Sequence, residues 1–177
     1  MVWTLSGFMG SGKSTVGRLL AARLNRCRHI DLDEQIVATA GKTIPEIFRL
    51  GGEALFRELE TEALMDAVSS YEGDETLVIS LGGGTLKTPV NREIIRAATR
   101  CIYLRTSVAT LAERLKPEQA IRPLLQGEGP LEAKIARLLA QRESLYAQCA
   151  DLTVDTDGKE PEALAEVLAE KLAATPF

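Results

Sequence analysis

Residues 7–14 read Gly-Phe-Met-Gly-Ser-Gly-Lys-Ser, the pattern G-x-x-x-x-G-K-[ST]. This spacing suits the capture of a polyphosphate. Successive backbone N–H groups wrap the anion, and glycines stand where φ must be positive or where a Cβ would touch the ligand. Lys13 brings a mobile charge to the outer phosphates and Ser14 a hydroxyl to Mg2+, so Gly10, Ser11, Gly12, Lys13, Ser14 and Thr15 form a candidate nucleotide-binding run. Such a loop needs a strand before it and a helix after it, whose positive end faces the same oxygens. Residues 2–5 are a short apolar run, and residues 15–24 are helix-forming. A Gly/Ser-rich turn that only happens to precede a helix is the bland alternative, and it leaves the agreement of pattern, strand and helix unexplained. The motif implies a nucleoside triphosphate. The fate of its phosphate depends on other residues.

Three further stretches carry candidate chemistry. Asp31-Leu32-Asp33 places carboxylates at i and i+2 after a short strand around residues 28–30. On an extended strand end both would point the same way, at the carboxyl edge of a sheet where α/β proteins bind ligands. Alternatively, Asp33 caps a helix over residues 34–40 and Asp31 is a solvated turn residue. Arg57 and Glu60 share a helix face at i, i+3. They read either as a surface ion pair, which contributes little, or as an arginine aimed at a substrate and oriented by its carboxylate. Gly82-Gly83-Gly84 ends the apolar run 77–81 and allows a ligand close to the backbone, unless it is only a flexible turn. His29, the single histidine, has no partner histidine or cysteine nearby in sequence and reads as structural, and Trp3 reads as core.

The elements that must position these residues alternate in type. Apolar runs at 77–81, 101–104 and 152–155 fit strands buried in a parallel sheet. Thr43, Pro45 and Glu46 open a helix with a capping-box spacing. It runs to Leu50, Gly51-Gly52 breaks it, and a second helix over 53–68 carries the stripe Leu55, Phe56, Leu59, Ala63 and Leu64. Helices are also predicted over 90–98, from Ser107 to near Leu115, over 131–147 as one long amphipathic helix bearing Arg137 and Arg142, and over 160–174. Strand–helix alternation of this kind predicts an α/β fold. Residues 116–130 break the periodicity with Pro117, Pro123, Pro130 and two glycines around Arg122-Pro123-Leu124-Leu125. A structureless loop of this length is usually functional, and two leucines in need of cover suit a lid.

The 177 residues suit one domain, with 45% apolar and 26% charged content. A net charge of −4 and 5% aromatics argue against nucleic acid as a partner. Cys27, Cys101 and Cys149 form no C-x-x-C pair and read as reduced buried thiols, implying neither disulfide nor zinc. The chain opens on a strand and has no apolar segment of ~18 residues, so the expectation is a cytoplasmic protein without signal peptide or membrane span.

Together, G-F-M-G-S-G-K-S, D-L-D, G-K-T-I-P-E-I-F followed by G-E-x-x-F-R-x-x-E, L-G-G-G and R-P-L-L resemble the motifs of the shikimate kinase family, in that order, across residues 5–157. The resemblance implies a P-loop fold like that of nucleoside monophosphate kinases: a five-stranded parallel sheet flanked by helices, a lid at about 116–130 and a substrate-binding region at about 33–64. It implies an ATP-dependent kinase that phosphorylates the 3-hydroxyl of shikimate, giving shikimate 3-phosphate and ADP in aromatic amino-acid (chorismate) biosynthesis. By the same resemblance, Lys13 and Ser14 serve phosphate and Mg2+, and Asp31 helps hold the metal through water. Asp33 binds the hydroxyl and acts as base. Arg57, Gly82, Gly83 and Arg142 hold shikimate, the two arginines gripping its carboxylate, and Glu60 orients Arg57. Arg122 reaches the phosphates from the lid, Arg114 stacks near adenine, and Phe48 and Phe56 wall the pocket. Asp157-Gly158-Lys159 carries no sharp motif for adenine. A monomer acting on ATP and shikimate is expected.

The chemistry asks for the same groups. A carboxylate is best held by planar arginine donors, and an attacking hydroxyl needs a carboxylate to take its proton. Cations must meet the charge that spreads over the phosphoryl oxygens. A kinase of another small hydroxy acid, such as gluconate, and a non-catalytic nucleotide-binding module remain as alternatives.

Overall fold

Five short strands, β1 (Val2–Ser6), β2 (Cys27–Asp31), β3 (Thr76–Ser80), β4 (Arg100–Arg105) and β5 (Leu152–Asp155), form one parallel sheet in the order β2-β3-β1-β4-β5. The computed structural model describes residues 1–120 and 122–174. The helices are α1 (Lys13–Arg23), α2 (Leu32–Ala40), α3 (Ile44–Ser69), α4 (Pro89–Ala98), α5 (Val108–Leu115), α6 (Leu131–Ala140), α7 (Glu143–Cys149) and α8 (Pro161–Ala174).

Alternation along the strands divides the core in two. Trp3, Leu5, Val78, Ile102 and Val154 pack with Val16 and Leu20 of α1 and Leu164 and Leu168 of α8. Val2, Leu77, Ile79, Cys101 and Tyr103 belong to the other cluster, with Leu32, Ile36, Phe56, Leu64, Ile95, Leu111, Ile135 and Tyr146. Both faces of the sheet are therefore covered, as a parallel sheet requires. Asp31 is in register with Ser80, and Ser80 with Leu5. Hence β2, β3 and β1 finish nearly level, and the loops that follow them open onto one edge.

Local chemistry explains most of the element boundaries. Thr43 and Glu46 form the expected capping box at the start of α3, a device that contributes roughly 1 kcal/mol. The expected break at Gly51-Gly52 is a kink, with Gly52 at φ 67° and ψ −161°. In a straight helix, residues eight apart are separated by about 12 Å along the axis. The kink instead brings the rings of Phe48 and Phe56 to 5.0 Å between centroids.

Several expectations are corrected. The helix after the Asp pair begins at Leu32, and its cap is Asp31, whose side chain accepts from the N–H groups of Asp33 and Glu34. Asp33 therefore lies in a helical first turn, not on an extended strand end. The single helix expected over 131–147 is two, α6 and α7, because the chain turns at Gln141 and Arg142. There Arg142 N–H reaches only to Leu139 O, while Leu145 and Tyr146 N–H start a new turn on Arg142 O. The apolar periodicity runs straight through this point, and the interruption follows from drawing Arg142 inward. Residues 116–130 are not without structure: they contain 3-10 turns at Lys116–Glu118 and Pro123–Leu125. Leu125 is fully buried, whereas Leu124 is 53% exposed. Cys27 is only half-buried, unlike Cys101 and Cys149. Among the described residues no helix is long and apolar enough to cross a membrane.

Candidate active site

The loop between β1 and α1 has its glycines at positive φ: 146° at Gly7, 79° at Gly10 and 93° at Gly12. Gly12 caps α1 without a side-chain bond, leaving first-turn N–H groups for an anion. Ser11 Oγ is buried with no partner among the described residues, an orphaned donor that a phosphate oxygen would satisfy. Lys13 Nζ lies across the loop and donates to Gly7 O and Phe8 O, both at 3.0 Å. Burial draws its pKa down to about 8, opposed by Asp33 and Asp31. Ser14 is half-buried and Thr15 exposed in the first turn of α1.

The loop is braced from below. Ser80 Oγ donates to Lys13 O at 2.9 Å, and His29 Nε2 lies 2.9 Å from the same hydroxyl. With the Ser80 proton committed to Lys13, His29 is the donor of that pair. The single histidine is a strut, the structural role its sequence context suggested.

Ser14 Oγ donates to Asp31 Oδ2, so the two residues expected at the metal are in contact. No cluster of three metal-ligating side chains occurs among the described residues. Two protein oxygens completed by phosphates and water are the usual setting for Mg2+, and the donor set fits that ion. Asp33 faces the loop from α2. Its carboxyl is raised above the ordinary range by burial and by Asp31, with Lys13 opposing.

The glycine turn after β3 is where these groups converge. A Cβ on Gly82 would lie 2.8 Å from Glu60 Oε1 and 3.1 Å from Asp33 Oδ1. One on Gly83 would lie 3.2 Å from Met9 N in the phosphate loop, and one on Gly84 2.5 Å from Arg57 Nη2. A side chain at any of the three would crowd a different group: side-chain ends at Gly82 and Gly84, and the phosphate-loop backbone at Gly83.

Arg57 is not half of a surface pair. Its Nη1 donates to Glu60 Oε2 at 2.6 Å, and Glu60 is fully buried and also accepts from Thr85 Oγ1 at 2.7 Å. Glu53 Oε1 accepts from Arg57 Nε and Nη2 at 3.3 and 3.2 Å, and Lys87 reaches the same oxygen at 3.0 Å. Arg142 is buried, with its guanidinium carbon 5.6 Å from the Phe8 ring centroid and Nη1 3.5 Å from Gly83 O. Its Nε has no partner among the described residues. A buried cation with an unused donor beside a second arginine suits an anionic ligand.

Two expected residues contact groups other than those of the glycine turn. Arg122 is held within its own loop by Glu118, Nε to Oε2 at 2.6 Å, although its charge still acts on Lys13 and Asp33. Arg114 Nη1 donates to Gly10 O at 3.3 Å, tying α5 to the phosphate loop. Beyond β5, Asp157 accepts from Ser107 N–H at 3.1 Å. Sequence reasoning missed Glu53, Ser80 and Thr85. It also missed Tyr146, whose hydroxyl donates to Gly83 O at 2.5 Å. Tyr146 follows Arg142 by four residues, and that spacing was the available signal. A cavity of about 470 Å³ lined by Trp3, Arg100, Asp151 and Lys171 lies at the other, amino edge of the sheet, away from these groups.

A phosphate-binding loop on the central strand of a parallel sheet, facing a carboxylate and two arginines, defines a P-loop phosphotransferase. The family model for shikimate kinase matches residues 9–173. The chain belongs to the shikimate kinase family, whose members are ATP-dependent phosphotransferases. It is 43% identical over 175 residues to shikimate kinase of Chlorobium chlorochromatii, covering 95% of this chain and 88% of that protein. It is 47% identical over 158 residues to that of Geobacter sulfurreducens, covering 89% and 83%. The solved structure of shikimate kinase from Acinetobacter baumannii in complex with shikimate superposes with a TM-score of 0.87 at 36% identity, covering 98% of this chain and 93% of that one.

Proposed function

We propose that the protein transfers the γ-phosphoryl group of ATP to the 3-hydroxyl of shikimate, giving shikimate 3-phosphate and ADP for aromatic amino-acid biosynthesis. The observation that carries this reading is the glycine turn, where successive residues abut Asp33, the phosphate loop and Arg57. Acceptor base, donor loop and carboxylate clamp thus share one short stretch of backbone.

In this reading Gly10, Ser11, Gly12, Lys13, Ser14 and Thr15 hold the nucleotide phosphates, and Lys13 exchanges the Gly7 and Phe8 carbonyls for phosphate oxygens. Arg57 and Arg142 grip the shikimate carboxylate, Gly82 and Gly83 let the ring lie against the backbone, and Phe48 and Phe56 wall the pocket. Asp33 accepts the proton of the 3-hydroxyl. That oxygen forms the new bond to phosphorus, and the bond from phosphorus to the β–γ bridging oxygen breaks with its electrons leaving on ADP. Ser14 and Asp31 would hold Mg2+, which would supply positive charge to the phosphate oxygens when bound. Residues 116–130 act as a lid whose closure excludes water and carries Arg122 from Glu118 to the phosphates. Arg114 borders the adenine, and residues 33–64 form the acceptor region of a single kinase domain. The groups named here need no second copy to complete them, so the proposal takes a monomer as the acting unit, and the net charge of −4 supports small molecules rather than nucleic acid as partners. We assign the protein to the cytoplasm.

Purified protein incubated with ATP, Mg2+ and a panel of hydroxy acids tests the function. Shikimate-dependent ADP release with formation of shikimate 3-phosphate is the expected result. Equal turnover of gluconate and shikimate, or of neither, overturns it.

A further inference from the structure

We propose that Tyr146 is a positioning residue for the phosphoryl acceptor: its hydroxyl fixes the peptide joining Gly83 to Gly84 and thereby the spacing between the phosphate loop and the arginine clamp. This rests on the acceptor reading above.

A turn of three glycines has no side chains with which to hold itself, and glycine loses more conformational freedom on ordering than any other residue. Its outer carbonyls are bonded locally, Gly82 O by Thr85 N–H at 3.2 Å and Gly84 O by Lys87 N–H at 2.9 Å. The middle carbonyl, Gly83 O, is held by α7 instead, by the Tyr146 hydroxyl at 2.5 Å and by Arg142 Nη1 at 3.5 Å. The second contact is at the limit for a hydrogen bond, and Arg142 is the residue that must turn to an acceptor carboxylate. Once the acceptor is bound, Tyr146 is the anchor that remains.

The anchor is itself rigid. Tyr146 is 1% exposed, and its ring lies tilted against Tyr103 of β4 with centroids 5.2 Å apart. Burial raises its phenol above the ordinary range, so it stays a proton donor at neutral pH. A peptide is planar, so fixing the Gly83 carbonyl also fixes the Gly84 N–H and both α-carbons. A Cβ on those α-carbons would meet Met9 N at 3.2 Å on one side and Arg57 Nη2 at 2.5 Å on the other, so both groups lie close to the peptide. A displacement of ~1 Å in such a unit costs far more in turnover than in folding.

Tyr146→Phe keeps the buried ring and removes only the hydroxyl. After thermal midpoints are measured, steady-state kinetics at temperatures well below them should show at least a ~tenfold fall in kcat/KM for shikimate, shared between kcat and KM, with the KM for ATP within ~twofold of wild type. Tyr103→Phe, which removes a hydroxyl from the neighbouring ring, should keep wild-type kinetics. A lowered midpoint with unchanged shikimate kinetics in Tyr146→Phe would mean that the hydroxyl serves packing alone and would overturn the proposal. So would equal losses toward both substrates. Wild-type protein without shikimate turnover would instead overturn the proposed function, and this role with it.

Discussion

At the phosphate end of the site, recognition is built into the backbone, with three glycines at positive φ, an uncapped helix start and an orphaned Ser11 hydroxyl within eight consecutive residues. At the acceptor end it is built from side chains on α2, α3 and the α6–α7 turn, and each arginine has to be held in place before a ligand arrives. Arg57 is held by a buried Glu60 that is itself fixed by Thr85, and Arg142 lies over Phe8. A backbone site tolerates drift in its surroundings, because its geometry is local. A side-chain site depends on the partners of its members, so a change one contact away from the ligand should alter acceptor kinetics without touching nucleotide binding.

The sharpest separation of the two ends should come from Lys13→Ala and Asp33→Asn. In the proposed mechanism Lys13→Ala removes the charge that meets the transferred group, so turnover should fall by several kcal/mol of transition-state stabilisation, about 10³-fold or more, and nucleotide affinity should fall with it. Asp33→Asn should lower turnover by roughly 10²- to 10⁴-fold while ATP binding, measured calorimetrically, is retained. If ATP binding falls as far as in Lys13→Ala, the two ends are not separate. The raised carboxyl of Asp33 adds a second expectation. A group with a raised folded-state pKa contributes stability below its unfolded value and loses it as pH rises through the folded one. Ionisation of Asp33 therefore costs the ligand-free protein stability as pH rises through the folded-state value, and Asp33→Asn, which cannot ionise, should lose less stability over that range in denaturant melts.

Arg57→Lys keeps the charge and loses the planar two-point grip, so the KM for shikimate should rise at least ~tenfold, about 1.4 kcal/mol, with that for ATP nearly unchanged. Wild-type shikimate kinetics would return Arg57 to a helix-surface role. Glu60→Ala should give a milder kinetic defect of the same kind. Since Glu60 is fully buried, it should also lower stability by about 3 kcal/mol in denaturant melts, because Arg57 and Thr85 lose their shared partner. The smallest effect belongs to Glu118→Gln. Its pair with Arg122 is partly exposed and contributes at most ~1 kcal/mol, so releasing it should lower the KM for ATP by no more than about fivefold. A rise in that constant would show that Glu118 aids closure.

How much of this was legible depended on whether the signal was local. The phosphate loop, the strands and the Thr43 capping box were readable because each is determined within a few residues. The buried status of Glu60 was not, because Arg57 and Glu60 at i, i+3 look identical on a solvated helix and on one facing Thr85 across the core. The break at Arg142 was invisible for the same reason: Leu139, Leu145 and Tyr146 keep helical spacing, and only a glycine turn some sixty residues earlier explains why the chain turns there. Asp31 was expected at the metal, and its additional role as a helix cap went unread because the strand-end reading treated the pair as extended.

The level ends of β2, β3 and β1 also bear on the order in which the site can be assembled. Asp31 and the phosphate loop lie on strands that do not touch each other, and both take their register from Ser80. A fragment ending before residue 76 keeps the Ser14–Asp31 contact but lacks the strand that lies between β1 and β2 and sets their register. Because these pairings are distant in sequence, they carry the loop-closure entropy that slows folding. The spacing of the site thus depends on a strand, Thr-Leu-Val-Ile-Ser, that has no charged residue of its own and contributes only register.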